Sequence, residues 1–290
     1  MKLIESKVEI IEQQPGLEGV YKQIELAGRT CYKSEDKITE DSAKEFVDRM
    51  IKSKHGAMLE HGTVYLKITG KRDDENQCWE FPTDSYYYGF MRNKYSQVRE
   101  IWTDDIVIYY ITTNLRVIIE NGFTESLKYI CEPTEHHEKR ITARFTCDMG
   151  VGRELTRHRT LSFAQESTRY CNYGKSKFDN ELTFIKPYWM PYSNSVSGDE
   201  FKAFADSLAQ SEISYLELIK LGRKPQEARQ VLPLALKTEI IVTGFESDWE
   251  HFFSLRSPKY GAQGVHPDMA KLADELYEKL NNVNTDNKTN

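Results

Sequence analysis

Residues 141–170 read ITARFTCDMGVGRELTRHRTLSFAQESTRY, and three patterns follow one another within them. The first seven residues alternate apolar and polar side chains, the period of a half-buried strand. Gly150 and Gly152 then mark a turn. After it, Arg157, His158, Arg159 and Arg169 place four cationic or potentially cationic groups within fourteen residues, interleaved with Ser162, Gln165, Ser167 and Thr168. From Lys139 to Lys175 eight Lys or Arg face only three acids, in a chain whose formal net charge is −6. If residues 152–159 are helical, Arg153 and Arg157 stand at i and i+4, where like charges repel. A bound anion would relieve that repulsion, and the guanidinium fork suits phosphate oxygens. A solvated basic face paired with acids elsewhere accounts for the charge equally well.

Moving outward, 290 residues suffice for one large domain or two modest ones, with a sizeable core. The excess of acids, 45 against 39 bases, argues against nucleic-acid binding through an overall field. No run of eighteen apolar residues suggests a membrane span, and the opening MKLIESKVEIIEQQ has no apolar core of signal-peptide length. Five scattered cysteines without a C-x-x-C pair fit free thiols in a reducing cytosol. No H-E-x-x-H, G-x-S-x-G or Walker-type loop is present, and no metal site is expected.

The patterning predicts an opening strand over 2–11, helices at about 17–33 and 41–54, and a strand at 63–69, followed by a polar loop over 70–77. Between there and residue 140 lie a strand-like IVIYYIT and two short helices. The C-terminal third is predicted to be mainly helical. Its helices are expected from Asp199 to about Leu221, after Pro225, after a Ser247–Glu250 capping box, and after Pro267. The last residues, 281–290, are polar and are expected to be a disordered tail. Strands early and helices late give the fold class α+β: a mixed or antiparallel sheet flanked by helices. Two later arginines sit on apolar stripes. Arg229 precedes Leu232 and Leu236, and Arg256 follows Trp249 and Phe252. An arginine aimed at a core needs an anion there. A buried carboxylate partner, or a stem lying along apolar surface, would also satisfy it.

Arg157-His158-Arg159, seven residues, then Ser167 with Arg169-Tyr170 resembles the R-H-R-x7-S signature of flavin-dependent thymidylate synthases. AGRTCYKS (27–34), LEHGTVYL (59–66), EARQVLPL (227–234) and FFSLR (252–256) are similar to the same family. The resemblance covers about 16–68 and 141–270, which implies one synthase domain over 1–280 with 70–140 as an insertion. It further implies a cytoplasmic homotetramer with active sites shared between subunits, acting on small molecules rather than nucleic acid or membrane. The reaction implied is methylation of dUMP to dTMP, with 5,10-methylenetetrahydrofolate as carbon donor and FAD, reduced by NADPH, as hydride source. Carried over by position, Arg157, His158, Arg159 and Gln165 line the flavin, with His251 the remaining polar candidate. Glu154, Arg157, Gln165, Ser167, Arg169 and Arg229 hold dUMP. Arg256 faces the uracil ring as the catalytic charge, stabilising a ring deprotonated at N3. Cys171 then only packs. The chain departs from the commonest pattern at Ala164-Gln165, where many members read Asn-Glu, and at Glu154, Phe245, Glu246 and Ala57. The alternative is a nucleotide- or nucleic-acid-binding module that uses the basic segment without catalysis.

Overall fold

The alternating run at residues 2–11 breaks at Glu5 and Ser6 into two strands, β1 (Lys2–Ile4) and β2 (Lys7–Ile11), which enter different sheets. The computed structural model describes residues 1–73, 75, 78–82, 85–190 and 198–286. Helices α1 (Gly16–Tyr32) and α2 (Ser42–Lys52) follow as the periodicity predicts, with Phe46 and Val47 of α2 buried. Gly28 is required where they cross, because a Cβ there would lie 2.3 Å from the Phe46 ring. A short helix α3 (Gly56–Leu59) leads into β3 (Thr63–Asp73), which runs four residues beyond the predicted strand and takes up the start of the expected 70–77 loop. Val64, Leu66 and Ile68 alternate inward, and pairing with the next strands holds the polar end extended.

The segment after β3 contains β4 (Cys78–Glu80), α4 (Tyr87–Met91), β5 (Gln97–Trp102), β6 (Ile106–Asn114) and α5 (Leu115–Glu120). With β3 these strands form an antiparallel sheet in the order β4-β3-β6-β5. Its inner face shares one core with the first helices: Val20 and Ile24 of α1, Phe46 and Val47 of α2 and Leu59 of α3 pack with Val64, Leu66, Ile68 and Ile111.

The predicted strand over 141–147 is β7 (Arg140–Asp148). Gly150 and Gly152, expected to mark a turn, lie inside helix α6 (Met149–Leu155), which begins where Asp148 Oδ1 accepts from the Val151 N–H at 2.8 Å. Then come β8 (Ser162–Gln165), β9 (Thr183–Ile185), α7 (Asp199–Lys220), α8 (Pro225–Ala228), β10 (Lys237–Phe245), α9 (Glu246–Arg256) and α10 (Pro267–Asp286). The expected Ser247–Glu250 capping box does not form. The helix starts one residue before Ser247, and Asp248 Oδ2 accepts from the Phe245 N–H at 3.1 Å. Helix α10 continues to Asp286, into the segment expected to be a disordered tail, while 287–290 lie outside the described residues.

The second sheet, β2-β7-β10-β8, is wholly antiparallel, and β10 is one of its two inner strands. Ile240 and Val242 face a core formed with Trp249, Phe252 and Phe253 of α9 and Met269 and Leu272 of α10. Ile241 faces the other way, against Ala27 of α1 and Ala164 of β8. A third, two-stranded parallel sheet joins β1 to β9. The fold is therefore α+β, with antiparallel sheets flanked by helices. No helix among the described residues is long and apolar enough to cross a membrane.

One buried ionic chain ties these layers together. Glu166, only 3% exposed, accepts from Tyr173 Oη at 2.9 Å and pairs with Lys237 Nζ at 2.9 Å. Lys237 also meets Glu239 at 2.7 Å, and Glu239 meets Lys33 at 2.8 Å. Burial would raise the Glu239 carboxyl, but Lys237 and Lys33 outweigh it and bring it down to about 2. Removing one member strands a buried charge, which typically costs about 3–5 kcal/mol. Lys237→Met should therefore lower unfolding stability by about that amount in urea titrations at neutral pH, and Lys237→Met/Glu166→Gln should recover part of it. A single-variant loss below about 1 kcal/mol would mean that water already serves Glu166.

Candidate active site

Helix α6 ends at Leu155, so Arg157 lies beyond it and the i, i+4 repulsion with Arg153 does not arise. Two tight turns follow, with the His158 N–H donating to the Leu155 carbonyl at 3.1 Å and the Leu161 N–H to that of His158 at 3.0 Å. They bury the central residue of the R-H-R run and leave Arg157 and Arg159 exposed, with no ion pair among the described residues.

His158 packs edge-on against Phe252, ring centroids 5.0 Å apart, and its Nε2 accepts from Arg256 Nε at 3.2 Å. Burial first, then the positive field of Arg256, hold its pKa at about 4. The ring is thus neutral at physiological pH, as its acceptor role requires, and the remaining proton belongs on Nδ1. Arg256 also donates from Nη1 to Glu154 Oε2 at 2.6 Å. Its demand for an anion is met inside the chain by a carboxylate from α6, the bland outcome of the two the sequence allowed. Glu154, expected to hold substrate, is the partner that orients Arg256. His251 is exposed on α9, close enough to help lower the His158 pKa.

The remaining predicted residues form a second group. Gln165 ends β8 and donates to Thr238 Oγ1 at 3.2 Å. The Ser167 N–H donates to the Cys31 carbonyl at 2.9 Å, and the Ser167 carbonyl in turn accepts from Tyr170 and Cys171. This turn presents Thr168 and Arg169, whose guanidinium lies 5.4 Å from the Tyr170 ring. Arg229, predicted on an apolar helix face, is exposed and donates to Thr168 Oγ1 at 3.3 Å. Helix α8 stops at Ala228 and a 3-10 turn succeeds it, so the α-helical spacing to Leu232 and Leu236 has no meaning there. No hydrogen bond joins this group to the Glu154–His158–Arg256 group among the described residues. Cys171 is buried with its thiol pushed up to about 12, mainly by burial, so it is protonated and unreactive at neutral pH.

Arg159 opens onto a cleft of about 500 Å³ that it shares with Glu60, Arg140, Phe245 and Asp248. Arg140 was absent from the predicted set. It donates to neutral acceptors, the Glu60 carbonyl at 2.9 Å and Thr63 Oγ1 at 3.3 Å, and its buried Nε has no partner. Burial lowers its pKa to about 10, so it remains charged. Beside it, fully buried His61 holds Thr243 Oγ1 at 2.9 Å through Nδ1, and Thr243 bonds Thr142 at 2.8 Å. Its buried Nε2 has no hydrogen-bond partner among the described residues. Burial and Arg140 hold this pKa at about 3. No group of three or more ligating side chains suited to a metal ion occurs among the described residues.

A family model described as "Thymidylate synthase complementing protein" (Thy1) matches residues 109–284, more than half of the chain. The chain belongs to this family. A flavin-dependent thymidylate synthase of Pyrococcus furiosus is 32% identical over 172 residues, covering 54% of this chain and 68% of that relative. One from Haloarcula marismortui is 33% identical over 166 residues, covering 50% and 64%. The aligned part thus spans about two thirds of the length of these two Thy1 relatives. A solved UMP/dUMP methylase, PolB from Streptomyces cacaoi, aligns over 97% of this chain and 92% of its own at 16% identity. Its TM-score of 0.43 is too loose a likeness to carry an argument.

The two depressed histidines make the Thy1 chain acid-sensitive in a defined window. Both titrate near 6.5 when unfolded but at about 4 (His158) and about 3 (His61) when folded. Below pH 6.5 the unfolded state binds more protons, so stability present at neutral pH is lost progressively as pH falls towards 4. Thermal unfolding should show the midpoint dropping across that window, with a shallower slope in His158→Gln. A midpoint flat from pH 7 to 4.5 would contradict the buried neutral assignment.

Proposed function

We propose that this protein is a flavin-dependent thymidylate synthase. It would convert dUMP to dTMP with 5,10-methylenetetrahydrofolate as carbon donor, FAD as cofactor and NADPH as reductant. The observation that carries the reading is the 3.2 Å contact between Arg256 and His158, which brings the FFSLR segment onto the R-H-R run across 98 residues. The sequence resemblance singled out these two segments separately.

Arg159 and Arg140 line one cleft without an ion pair among the described residues, and Arg140 keeps an unpartnered buried N–H there, which fits an anionic cofactor. FAD, when bound, supplies the hydride chemistry. Arg157, Gln165, Ser167, Arg169 and Arg229 bind the phosphate and sugar of dUMP in this reading. Arg256 supplies a guanidinium beside the uracil ring, which stabilises the negative charge that makes C5 nucleophilic. Glu154 and neutral His158 hold that guanidinium through Nη1 and Nε, and its Nη2 makes no hydrogen bond among the described residues. No protein nucleophile is required, in keeping with the protonated Cys171. Because the two groups do not meet within one chain, we propose that the site is completed between subunits of a cytoplasmic homotetramer.

The purified protein should show flavin absorption bands that change on adding dUMP, and reduced flavin should be reoxidised in a dUMP-dependent manner. Arg256→Ala should lower dTMP formation by roughly a hundred- to a thousand-fold. A colourless protein that takes up no FAD would overturn the reading. Equal, strongly salt-dependent binding of dUMP, UMP and single-stranded DNA would instead favour a purely electrostatic binder.

A further inference from the structure

The cleft that Arg159 enters is not walled by the R-H-R segment and the main sheet alone. Its other wall comes from the segment between β3 and β7, which the family resemblance left without a role. Asn93 and Tyr95 lie between α4 and β5, and Arg116 is the second residue of α5; all three line the same cavity as Arg140 and Arg159.

Arg116 is held as a built part of this wall. Its Nη1 donates to Glu60 Oε1 at 2.5 Å and its Nε to Glu120 Oε1 at 2.8 Å. Gly56 allows that close approach to α3, since a Cβ there would lie 2.8 Å from Glu120 Oε1 and 2.9 Å from Arg116 Nε. Arg116 is thus fixed between two carboxylates, while Arg140 and Arg159 have none among the described residues. Asp248, the other acid of the cleft, is occupied by the Phe245 N–H. Three guanidiniums therefore share one cavity with three carboxylates, two of them committed to Arg116, and Arg140 and Arg159 keep N–H groups that no carboxylate holds in an ion pair among the described residues. Tyr95 is 55% exposed there, and the Phe245 ring stands 5.5 Å from the Arg140 guanidinium. Cations set among flat rings match a ligand with a diphosphate and an aromatic base.

We propose that the segment between β3 and β7 supplies Arg116 and Tyr95 as binding residues for FAD, Arg116 acting with Arg159 and Arg140 on the diphosphate and Tyr95 offering a ring face to the adenine. This rests on the synthase reading and adds to it a job for the segment between β3 and β7: the cofactor lies between that segment and the R-H-R turn.

FAD affinity, measured by fluorescence quenching on the stripped full-length protein, tests this directly. A lost charge-assisted contact amounts to about 1.5–3 kcal/mol, so Arg116→Ala should raise the FAD Kd roughly ten- to a hundred-fold. Arg116→Lys should recover part of that loss, and Tyr95→Ala should weaken FAD by about five- to a hundred-fold. The affinity for dUMP should stay within twofold of wild type in all three. Unchanged circular dichroism and melting midpoint would separate lost binding from lost folding, and Tyr95→Ala gives an independent readout if Arg116→Ala is destabilised. FAD affinities within twofold of wild type in both Arg116→Ala and Tyr95→Ala would overturn this inference. Weakened NADPH binding with FAD untouched would overturn it too. Failure of the wild-type protein to bind FAD would instead strike at the synthase reading.

Discussion

The register of β10 is the constraint on which the rest depends. This strand is paired on both edges, with β7 and with β8, and is buried on both faces. A slip of one residue would send every side chain to the opposite face. At its start, Lys237 grips Glu166 and thereby fixes the turn that presents Ser167. Near its end, Thr243 receives His61 from the segment before β3. Its last residue, Phe245, begins α9, and α9 delivers Arg256 to His158. Groups far apart in sequence thus take their positions from one nine-residue ladder.

Electrostatics separates the basic segment into parts with different duties. Arg256 is matched by Glu154, and the cluster around Glu166 is internally paired, so neither calls for an outside charge to be stable. Arg157 and Arg159 stay exposed, and Arg140 makes do with neutral acceptors. Strand β8 adds a sorting device. Gln165, its last residue, turns to Thr238, whereas Glu166, the next, turns to Lys237 and Tyr173. An acid at 166 is therefore a structural ion, buried at 3% exposure, and cannot stand in for the acid that many family members carry at position 165.

Much of this was legible in the sequence where local periodicity decides structure. Helices α1, α2 and α7 and strands β3 and β7 each bury one face, so their apolar spacing reports them directly. Between β3 and β7 the sequence showed the strand IVIYYIT and two short helices but not β4 (Cys78–Glu80) or β5 (Gln97–Trp102), which are short and lack an apolar run. Strand β10 escaped because TEIIVTGF is apolar on both sides and shows no alternation. Gly150 and Gly152 suggested a turn but sit inside α6, where packing against β10 leaves little room for a Cβ at Gly152. The R-H-R-x7-S residues could be named from the chain alone. What Arg256 touches could not, since its partners lie 98 and 102 residues away. Arg140 and Arg116 carry no local signature, and only the meeting of two sheets makes them neighbours of Arg159.

The core that the β4-β3-β6-β5 sheet shares with α1 and α3 has a consequence for how far the fold can be divided. Val20, Ile24 and Leu59 are covered by Val64, Leu66, Ile68 and Ile111, and all seven are at most 2% exposed. Uncovering a single aliphatic side chain of this kind costs about 1.5–3 kcal/mol, against a total stability of about 5–15 kcal/mol for a typical domain. Excising the sheet would bare several of them at once. Helices α1 and α3 and this sheet therefore cannot be separated: a chain without the sheet would need those helices rewritten in the same step.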